Sequence, residues 1–235
     1  MEPRTEDLLT AIGRCRSEAS LREQILKAAR ALGFDRFAYG LRAPLPVTDP
    51  QIQMINNYPQ GWRRRYAEAG YLAVDPTVRH GRRSQEPMVW SDALVAQAPE
   101  FWEEAHAFGL QVGWAQSCID GRGAAGMLTL SRSREPLSAR ELHAKEAQLR
   151  WLASASHVAF SRILAPRREA LTPLTARELE VLKWLADGKT SRDTAAILGI
   201  AIDTVNFHVK NATHKLGAAN KTAAAVRAAL LGLWD

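Results

Sequence analysis

Cysteine is scarce in this chain of 235 residues, which contains Cys15 and Cys118 alone. Two cysteines cannot build a disulfide framework, and their scarcity favours a reducing compartment. No apolar run approaches the ~18 residues that a membrane span needs, and residues 1–30 lack the unbroken apolar core of a signal peptide. We therefore expect a cytoplasmic protein that has no membrane partner.

The sequence also lacks the spacings of common catalytic sites. Its six histidines show neither H-x-H nor H-E-x-x-H, so they do not indicate a metal site. The G-x-S-x-G turn that carries the serine of many hydrolases is absent as well. We therefore expect neither an enzyme nor a bound metal or cofactor.

The composition suits a globular chain with a mildly basic surface. Hydrophobic residues make up 46% of the chain, enough for one sizeable core or two smaller domains. Lys and Arg total 31 against 25 Asp and Glu, which gives a net charge of +6 and an isoelectric point near 9.6. This excess suits a nucleic-acid partner but does not establish one.

A linker-like stretch divides the chain. APRREALTPLT, residues 165–175, has two prolines, adjacent arginines and no sustained periodicity. We therefore predict an N-terminal domain at residues 1–165, a linker at 166–173 and a smaller domain at 174–235.

The N-terminal segment mixes helical and strand-like hydrophobic periods. Helices before, between and after the strands favour an α+β fold, in which an α/β/α sandwich surrounds a mainly antiparallel sheet. The predicted strands are RFAYGLR, IQMINNY and the two halves of VGWAQSCIDGRGAAGMLTLSR, which a glycine-rich turn joins. The predicted helices are SLREQILKAARALGF, PQGWRRRYAEAGY, APEFWEEAHAFG and SARELHAKEAQLRWLASASHVAFSRIL.

The C-terminal segment predicts a domain of four short helices with well-marked ends. Thr175 and Glu178 form the T-x-x-E pattern of a capping box, and Thr190 can cap the next helix. Gly199 permits a tight turn, and Asn220 can cap the last helix. Four helices within residues 174–235 cannot bury much surface, so we expect this domain to lean on a partner or on its own twin.

Ala195, Gly199 and Val205 have the spacing of a helix-turn-helix, in which the second helix enters the major groove of DNA. That helix, within TVNFHVKNATHKLG, sets an apolar stripe against a face of amides and cations. An ordinary solvated face is the alternative for any single one of these residues. The amides can read base edges, whereas the surrounding cations can hold phosphates. The predicted DNA contacts are Lys189, Arg192, Thr204, Asn206, Phe207, Lys210, Asn211, His214, Lys215 and Lys221.

The stretch LTARELEVLKWLADGKTSRDTAAILGIAIDTVNFHVKNATHKLGAANKTAAA resembles the C-terminal DNA-binding domain of LuxR-type transcription regulators. Two positions depart from the family pattern. Ala201 replaces the serine that is common before the recognition helix, which costs about 0.5–2 kcal/mol and is partly offset by Asp203. Asn206 stands where many members carry lysine, so the base preference cannot be borrowed. The shared positions include Glu178, Leu182, Gly188, Ala195, Leu198, Thr204, Val205, His208 and Leu216.

The N-terminal segment has a cluster of large amphipathic aromatic residues. Tyr58, Trp62 and Tyr66 are spaced four apart, so on a helix they line one face. An aromatic core stripe is the simpler interpretation of this spacing. However, these residues bring polar tips, and Asp75 adds a carboxylate that is costly to bury without donors. Such a set suits a small amphipathic ligand that contains an amide.

The spacing Y-x3-W-x3-Y-x8-D-P-T, followed by Trp90, resembles the acyl-homoserine-lactone-binding domain of quorum-sensing LuxR-type regulators. FWEEAHAFGLQVGW and GMLTLSR extend the resemblance, which then covers nearly the whole chain. It implies that the Trp62 indole N–H bonds the lactone carbonyl, that Asp75 accepts the amide N–H, and that Tyr58 bonds the acyl carbonyl. Thr129 would help to hold that carbonyl, and Gly113 would preserve space.

The resemblance also implies the walls of the site and the partners of the protein. Small residues of the first strand, Ala38 and Gly40, would leave room for the acyl chain. The implied partners are an acyl-homoserine lactone, double-stranded promoter DNA, a second copy in a homodimer, and RNA polymerase. The implied walls of the lactone site are Tyr66, Trp90, Phe101 and Trp102.

Buried polar groups suggest how such a ligand would act. Without it, Asp75 and its neighbours would lack hydrogen-bond partners, at about 1–3 kcal/mol each. We therefore expect the ligand to favour a folded or dimer-competent form, whose two recognition helices lie about 34 Å apart on palindromic DNA. The alternatives are a lactone-hydrolysing enzyme, a constitutive DNA-binding dimer with an aromatic core, and a sensor of another amphipathic amide.

Overall fold

The computed structural model describes residues 5–121, 123–164 and 173–234. Contacts divide the chain into two compact units, a larger one that contains a sheet and a smaller one that contains the C-terminal helices. Of the predicted linker, residues 166–173, all but Pro173 lies outside the described residues, so that boundary stays a prediction.

The described strands of the larger unit form one five-stranded sheet. They are β1 (Arg36–Arg42), β2 (Ile52–Asn56), β3 (Met88–Val89), β4 (Val112–Ile119) and β5 (Ala125–Arg132). The strand order is β2-β1-β5-β4-β3, and every neighbouring pair is antiparallel. The predicted antiparallel sheet is therefore confirmed, and β3 is an addition that the sequence did not reveal.

Helices cover one face of this sheet with a continuous apolar core. Leu21 and Ile25 of the second helix and Leu149 and Phe160 of the last are buried against strand residues such as Leu128. Ser17 begins the second helix with a capping box, three residues before the predicted start of that helix. The helices are α1 (Thr5–Arg14), α2 (Glu18–Ala31), α3 (Gln60–Glu68), α4 (Pro76–Gly81), α5 (Asp92–Val95), α6 (Pro99–Ala107) and α7 (Ala139–Leu164).

The opposite face of the sheet is covered by the segment from α3 to α6. The α4 helix lies close to the strands, because a Cβ on Gly81 would lie 2.9 Å from Met127 Sδ. Trp90, which follows β3, lies directly over Gly113 of β4. Since both faces are covered, the second half of β5 is buried without interruption. The predicted α/β/α sandwich is confirmed.

The smaller unit consists of short capped helices, as the sequence predicted. The capping boxes at Thr175 and Thr190 are both formed, and Asn220 accepts the backbone N–H of Ala223. Gly199 ends its helix in the left-handed region, with φ of +63°. These helices are α8 (Ala176–Ala186), α9 (Ser191–Leu198), α10 (Ile202–Lys215) and α11 (Lys221–Leu230).

No helix in the described part of the chain combines the length and the apolar character that a membrane crossing requires.

Candidate functional site

Aromatic side chains form a second core in the larger unit, between α3, α6 and the segment that joins them. Trp62 lies at its centre and is 2% exposed. Four rings have their centroids 5.7 or 5.8 Å from the Trp62 ring: those of Tyr66, Tyr71, Phe101 and Phe108. The structure therefore brings Trp62, Tyr66 and Phe101 together, as the sequence predicted, and adds Tyr71 and Phe108 to them.

Two further tryptophans extend this aromatic core towards the sheet. The rings of Trp90 and Trp102 lie 4.7 Å apart at an interplanar angle of 63°. Trp102 Nε1 donates to the carbonyl oxygen of Leu94, 3.2 Å away. Trp90 Nε1 is also buried, but it has no hydrogen-bond partner among the described residues. The N–H of Trp90 is thus available to a ligand, whereas the N–H of Trp102 is already used in a hydrogen bond within the fold.

Tyr58 does not belong to the helix on which the sequence placed it. The α3 helix has Pro59 as its N-cap and begins at Gln60, so Tyr58 precedes it. A residue before proline is disfavoured in the helical region, which explains the boundary. The predicted single helix face is therefore wrong for Tyr58 and correct for Trp62 and Tyr66. Tyr58 nevertheless packs against the same aromatic core.

Asp75 is buried and already has hydrogen-bond partners. It caps α4, where its Oδ1 accepts the backbone N–H and the hydroxyl of Thr77 at 2.8 and 2.7 Å. Its Oδ2 accepts the Tyr66 hydroxyl at 2.9 Å. The expectation that Asp75 lacks partners without a ligand is therefore wrong, because the Asp-Pro-Thr sequence supplies a cap and Tyr66 supplies a third donor.

Burial and hydrogen bonding act in opposite directions on this carboxyl group. Burial raises the pKa of Asp75, and the bonds from Thr77 and Tyr66 oppose that rise. Burial also raises the pKa of Tyr66, and the Asp75 charge raises it further, so the phenol stays a donor. Each carboxylate oxygen has two acceptor positions, so Oδ2 can take one more donor besides Tyr66.

Small and hydroxyl-bearing residues line the sheet face beneath this aromatic core. Alternation along a strand places Ala38 and Gly40 on one face of β1 and Thr129 and Ser131 on the same face of β5, and Ala38 pairs with Thr129. A Cβ on Gly40 would meet only the Met54 methyl group, 3.9 Å away. The expectation that Gly40 leaves room on this face agrees with that spacing.

Gly113 lies under the Trp90 ring. An added Cβ would lie 2.4 Å from two carbons of the indole, far closer than atoms can pack. A side chain at this position would therefore push Trp90 out of place. The close approach gives a structural reason for the glycine that the sequence singled out.

Ser131 is a candidate site residue that the sequence did not reveal. It is fully buried, and its Oγ makes no hydrogen bond of normal geometry within the described residues. Because it pairs with Gly113, it lies beside Trp90, whose N–H is likewise unpaired. Burial raises the pKa of Tyr58, and the nearby Ser131 hydroxyl opposes this rise. Ser131 is thus the neighbour of Tyr58, whereas the predicted Thr129 lies two residues along the strand.

Three further residues of this region, Thr77, Tyr71 and Phe108, were not predicted from the sequence. Of these, Thr77 could have been predicted from a local sequence pattern. Asp-Pro-Thr is a helix start, with Asp as N-cap and Pro in the first turn, so Thr77 could have been expected to bond Asp75. Tyr71 and Phe108 lie outside any regular spacing with Trp62, and only the tertiary fold brings them to it.

The smaller unit contains the predicted helix-turn-helix. Val181 of α8, Ala195 of α9 and Val205 of α10 form its small buried core. Gly199 makes the turn between α9 and α10. No side chain caps α10 at Ala201, in agreement with the weak cap that the sequence predicted.

The outward face of α10 carries the amides, cations and phenylalanine that the sequence singled out. Phe207 is 60% exposed, an unusual position for a large apolar side chain on a small domain. Asn211 is half-buried and the His208 ring packs beside Phe207. The other predicted contacts with exposed side chains are Lys189, Arg192, Thr204, Asn206, Lys210, His214 and Lys221.

Lys215 has a role within the fold rather than on this face. Its Nζ lies 2.8 Å from the buried carboxylate of Glu178 and 3.3 Å from the Pro173 carbonyl oxygen. Burial raises the pKa of Glu178, but the bonds from Lys215 and Thr175 outweigh it and the pKa is lowered. The prediction that Lys215 is a phosphate contact is therefore unsupported, because its charge is already paired.

An α/β/α sandwich with a buried amphipathic site, joined to a helix-turn-helix, defines a two-domain regulator with a sensory part. Comparison with known proteins gives the family. Residues 17–160 match the autoinducer binding domain, and residues 172–228 match the bacterial regulatory proteins of the luxR family. The chain belongs to the LuxR family of autoinducer-binding transcription regulators.

A curated relative and solved structures are similar to this chain over nearly its full length. The transcriptional activator protein AnoR of Acinetobacter nosocomialis is 45% identical, over 99% of this chain and 100% of its own. The crystal structure of Escherichia coli SdiA is similar with a TM-score of 0.81 at 34% identity, over 98% of each chain. SdiA in complex with octanoyl-rac-glycerol gives a TM-score of 0.80 at 34% identity, over 98% of this chain and 95% of that one. The chain is accordingly a transcription regulator and not an enzyme.

Proposed function

We propose that the larger unit binds an N-acyl-homoserine lactone and that a homodimer then binds palindromic promoter DNA to regulate quorum-sensing genes. The observation that carries this proposal is a buried amphipathic site in which Trp90 Nε1 and Ser131 Oγ have no partners within the described part of the chain. A ligand with two carbonyl groups and one amide N–H matches the Ser131 hydroxyl, the Trp62 indole N–H and the Asp75 carboxylate, and Trp90 Nε1 lies beside the same site.

The polar head of the lactone would use three anchors. The Trp62 indole N–H would donate to the lactone carbonyl, and Asp75 Oδ2 would accept the amide N–H beside the Tyr66 bond. Tyr58 would donate to the acyl carbonyl, and its neighbour Ser131 replaces Thr129 as the second hydroxyl there. Each of these hydrogen bonds would form away from bulk water, where the low dielectric constant strengthens it.

The remaining site residues would shape the cavity. Gly113 keeps Trp90 in place over the sheet, and Ala38 and Gly40 would accept the acyl chain. Thr129 would contact the acyl chain of the lactone rather than its acyl carbonyl. The residues proposed as walls of the lactone are Tyr66, Trp90, Phe101 and Trp102, joined by Tyr71 and Phe108.

A second candidate ligand is a monoacylglycerol, because SdiA has been seen in complex with octanoyl-rac-glycerol. Such an ester has a carbonyl and hydroxyl groups but no amide N–H. It would still satisfy Ser131 and Trp90, whereas only a hydroxyl group could reach Asp75. A hydrogen bond from an amide N–H to the Asp75 carboxylate, which the lactone can form and the monoacylglycerol cannot, therefore distinguishes the two candidate ligands.

Ligand selectivity tests this proposal. Calorimetry on the full chain should give a lower Kd for octanoyl-homoserine lactone than for octanoylglycerol. Asp75→Asn should raise the Kd of the lactone by roughly tenfold to a hundredfold, which corresponds to the loss of a hydrogen bond to a charged group. Asp92→Asn, at an exposed position, is the matched control. An Asp75→Asn protein that binds the lactone like the parent would contradict the assignment, and a chain that binds neither ligand would point to a constitutive regulator.

For DNA, we propose that α10 enters the major groove of each half-site. Asn206 would read a base edge, Phe207 would contact a thymine methyl group or the sugar backbone, and Lys210 would reach a guanine or a phosphate. The other contacts would be Lys189, Arg192, Thr204, Asn211, His214 and Lys221. We also propose RNA polymerase as a regulatory partner. The proposed domains of the chain are a signal-binding domain at residues 1–165, a linker at 166–173 and a DNA-binding domain at 174–235.

Base and phosphate contacts separate by their salt dependence. Asn206→Ala should relax specificity at one base pair per half-site, whereas Lys189→Ala should weaken all sequences and reduce the salt slope by about one. Phe207→Ala should lower DNA affinity without destabilising the fold, since the side chain is exposed. Lys183→Ala, an exposed lysine outside the proposed interface, is the control. Unchanged binding in all three variants would remove α10 and the turn before α9 from the interface.

A further inference from the structure

The sheet face beneath the aromatic core becomes less buried from the end of β5 towards its start. Ser131 is fully buried and Thr129 is 6% exposed, whereas Met127 and Ala125, which follow on the same face, are only half-buried. On this face of β2, Met54 is 43% exposed. The site is therefore closed around its polar groups and becomes open along the sheet.

Gly40 forms the floor of the open part. It pairs with Met54 of β2 on one side and with Met127 of β5 on the other, so both methionines flank it on the same face. Among the described residues, the Met54 methyl group alone comes within 4 Å of a Cβ placed on Gly40. We call Ala38, Gly40, Met54 and Met127 the tail trough. A strip of small residues between flexible apolar side chains suits hydrocarbon chains of different lengths.

Helix α4 determines the side on which the tail trough opens. A Cβ on Gly81 of this helix would lie 2.9 Å from Met127 Sδ, so α4 covers the trough on the side of β4. On the other side, Met54 belongs to β2, which is the edge strand of the described sheet. A chain that runs along the tail trough therefore leaves it between Gly40 and Met54.

The strand geometry gives the length of chain that the tail trough can cover. Ser131, the proposed partner of the acyl carbonyl, and Met127 lie four residues apart on β5, about 14 Å along the strand. An extended chain advances by about 1.2 Å per bond, so the acyl group reaches the level of Met127 at about its twelfth carbon. Shorter tails end within the trough, and longer tails extend past Gly40 into solvent.

We propose that the tail trough is open at Gly40 and Met54 and that the protein therefore accepts lactones with acyl chains of any length above about ten carbons. The inference rests on the lactone binding of the proposed function and adds the class of acyl chain. Each methylene group that is buried in the trough lowers the Kd by about fourfold, and methylene groups beyond the opening leave it unchanged. A closed pocket would instead reject tails longer than itself, because overpacking is destabilising.

A series of chain lengths tests the open end. Quenching of tryptophan fluorescence in the full chain measures the Kd of hexanoyl-, octanoyl-, decanoyl-, dodecanoyl- and hexadecanoyl-homoserine lactone. The Kd should fall steadily up to the dodecanoyl lactone and should then change by less than about threefold for the hexadecanoyl lactone. A rise of about tenfold or more between these two ligands would show a closed pocket and overturn the proposal.

A bulky group at the end of the tail tests the same opening directly. Biotin on the last carbon of the dodecanoyl lactone should raise the Kd by less than about threefold, because that carbon lies at the opening. The same group on the hexanoyl lactone should raise the Kd by at least roughly tenfold, because its last carbon lies inside the trough. Equal effects of biotin on both ligands would contradict the proposed path.

Gly40→Leu tests the path of the tail. Its side chain would fill the open end of the trough, so the Kd of the dodecanoyl lactone should rise at least roughly tenfold, the contribution of about two methylene groups. The Kd of the hexanoyl lactone should stay unchanged, which also shows that the variant folds. Gly13→Leu is the matched control, since Gly13 is exposed on α1 and a Cβ there would meet no atom within 4 Å. If Gly40→Leu binds the dodecanoyl lactone like the parent, the tail does not run along the trough.

The outcomes separate this inference from the proposed function. If the octanoyl lactone binds and the longer or biotinylated tails are rejected, the open end is wrong and lactone binding stands. If no lactone of the series binds, lactone binding itself fails, and the tail trough fails with it. The chain-length series and the biotinylated ligands use the unmodified protein, so they decide the question even if Gly40→Leu does not fold.

Discussion

Replacement of Gly113 by alanine should destabilise the larger unit because the Trp90 ring has no room to retreat. The added Cβ would lie 2.4 Å from two ring carbons, whereas carbon atoms in contact lie about 3.5–4.0 Å apart. Relief therefore requires a shift of about 1 Å or more. Trp102 blocks that shift, since it is 1% exposed, lies 4.7 Å from Trp90 and is hydrogen-bonded to Leu94.

Overpacking of this kind costs about 1–3 kcal/mol. For a unit of this size each kcal/mol lowers the unfolding midpoint by about 2–4 °C, so Gly113→Ala should lower it by about 2–12 °C. Thermal unfolding of the full chain, followed by tryptophan fluorescence, measures the change. Because Trp90 belongs to the proposed lactone site, the Kd of octanoyl-homoserine lactone should rise in the same variant.

Gly40→Ala provides the control for this prediction. Gly40 lies on the same side of the sheet, but its added Cβ would meet only the Met54 methyl group at an ordinary 3.9 Å. Its midpoint should therefore match that of the parent or exceed it slightly, since alanine suits a strand better than glycine. If Gly113→Ala is as stable as Gly40→Ala, the reasoning about the Trp90 contact is refuted.

Three further substitutions concern individual polar groups that are buried or paired. Tyr66→Phe removes one of three donors to the buried Asp75, so urea unfolding should show a loss of about 1–3 kcal/mol; no loss would mean that water replaces the phenol. Glu178→Gln removes the charge that pairs with Lys215 and should cost about 1.5–3 kcal/mol at neutral pH. Because the folded pKa of Glu178 is lowered, its contribution to stability is fully present above the unfolded pKa of about 4.3 and is lost as the pH falls from there through the folded pKa. The variant should show a smaller loss of stability in acid, and an equal loss would exclude this pair as the cause. Ser131→Ala deletes a buried hydroxyl without a partner, so the signal-free protein should be as stable as the parent or more stable, while the midpoint shift caused by the lactone shrinks; an unchanged shift would show that the hydroxyl does not meet the ligand.

Local patterns in the sequence were sufficient to predict most elements of the fold. β1 coincides with the predicted RFAYGLR because its large apolar residues alternate with small residues and arginines, the two-residue period of a strand. The capping boxes at Thr175 and Thr190 were also readable, since they use side chains three residues apart. The two-residue β3 and the four-residue α5 were not, because neither is long enough to show a period.

The candidate site was predictable in its residue types and less so in its contacts. The spacing of Trp62, Tyr66 and Asp75 marked the right region, but the hydrogen bond between Tyr66 and Asp75 depends on how the chain turns after α3. Ser131 resembled any other strand serine, and only the pairing of β4 with β5 places it beside Gly113. Long-range pairing of this kind leaves no local pattern in the sequence.

The hydrogen bonds of Asp75 change how the signal is expected to act. If Asp75 lacked partners, folding without a ligand would leave a buried charge unpaired, at a cost of about 3–5 kcal/mol on top of the other unpaired groups. Instead, Trp90 Nε1 is buried without a partner within the described residues, and Ser131 Oγ has only the nearby Tyr58 hydroxyl, without normal hydrogen-bond geometry, so the two groups together cost at most about 2–6 kcal/mol. That is a large part of the 5–15 kcal/mol by which a typical domain is stable, but less than all of it. We therefore expect a sensor that folds without its signal and is weakened by its absence. At 100 times the Kd the signal adds about 2.7 kcal/mol, enough to restore a marginal fold and to shift the population available for dimers.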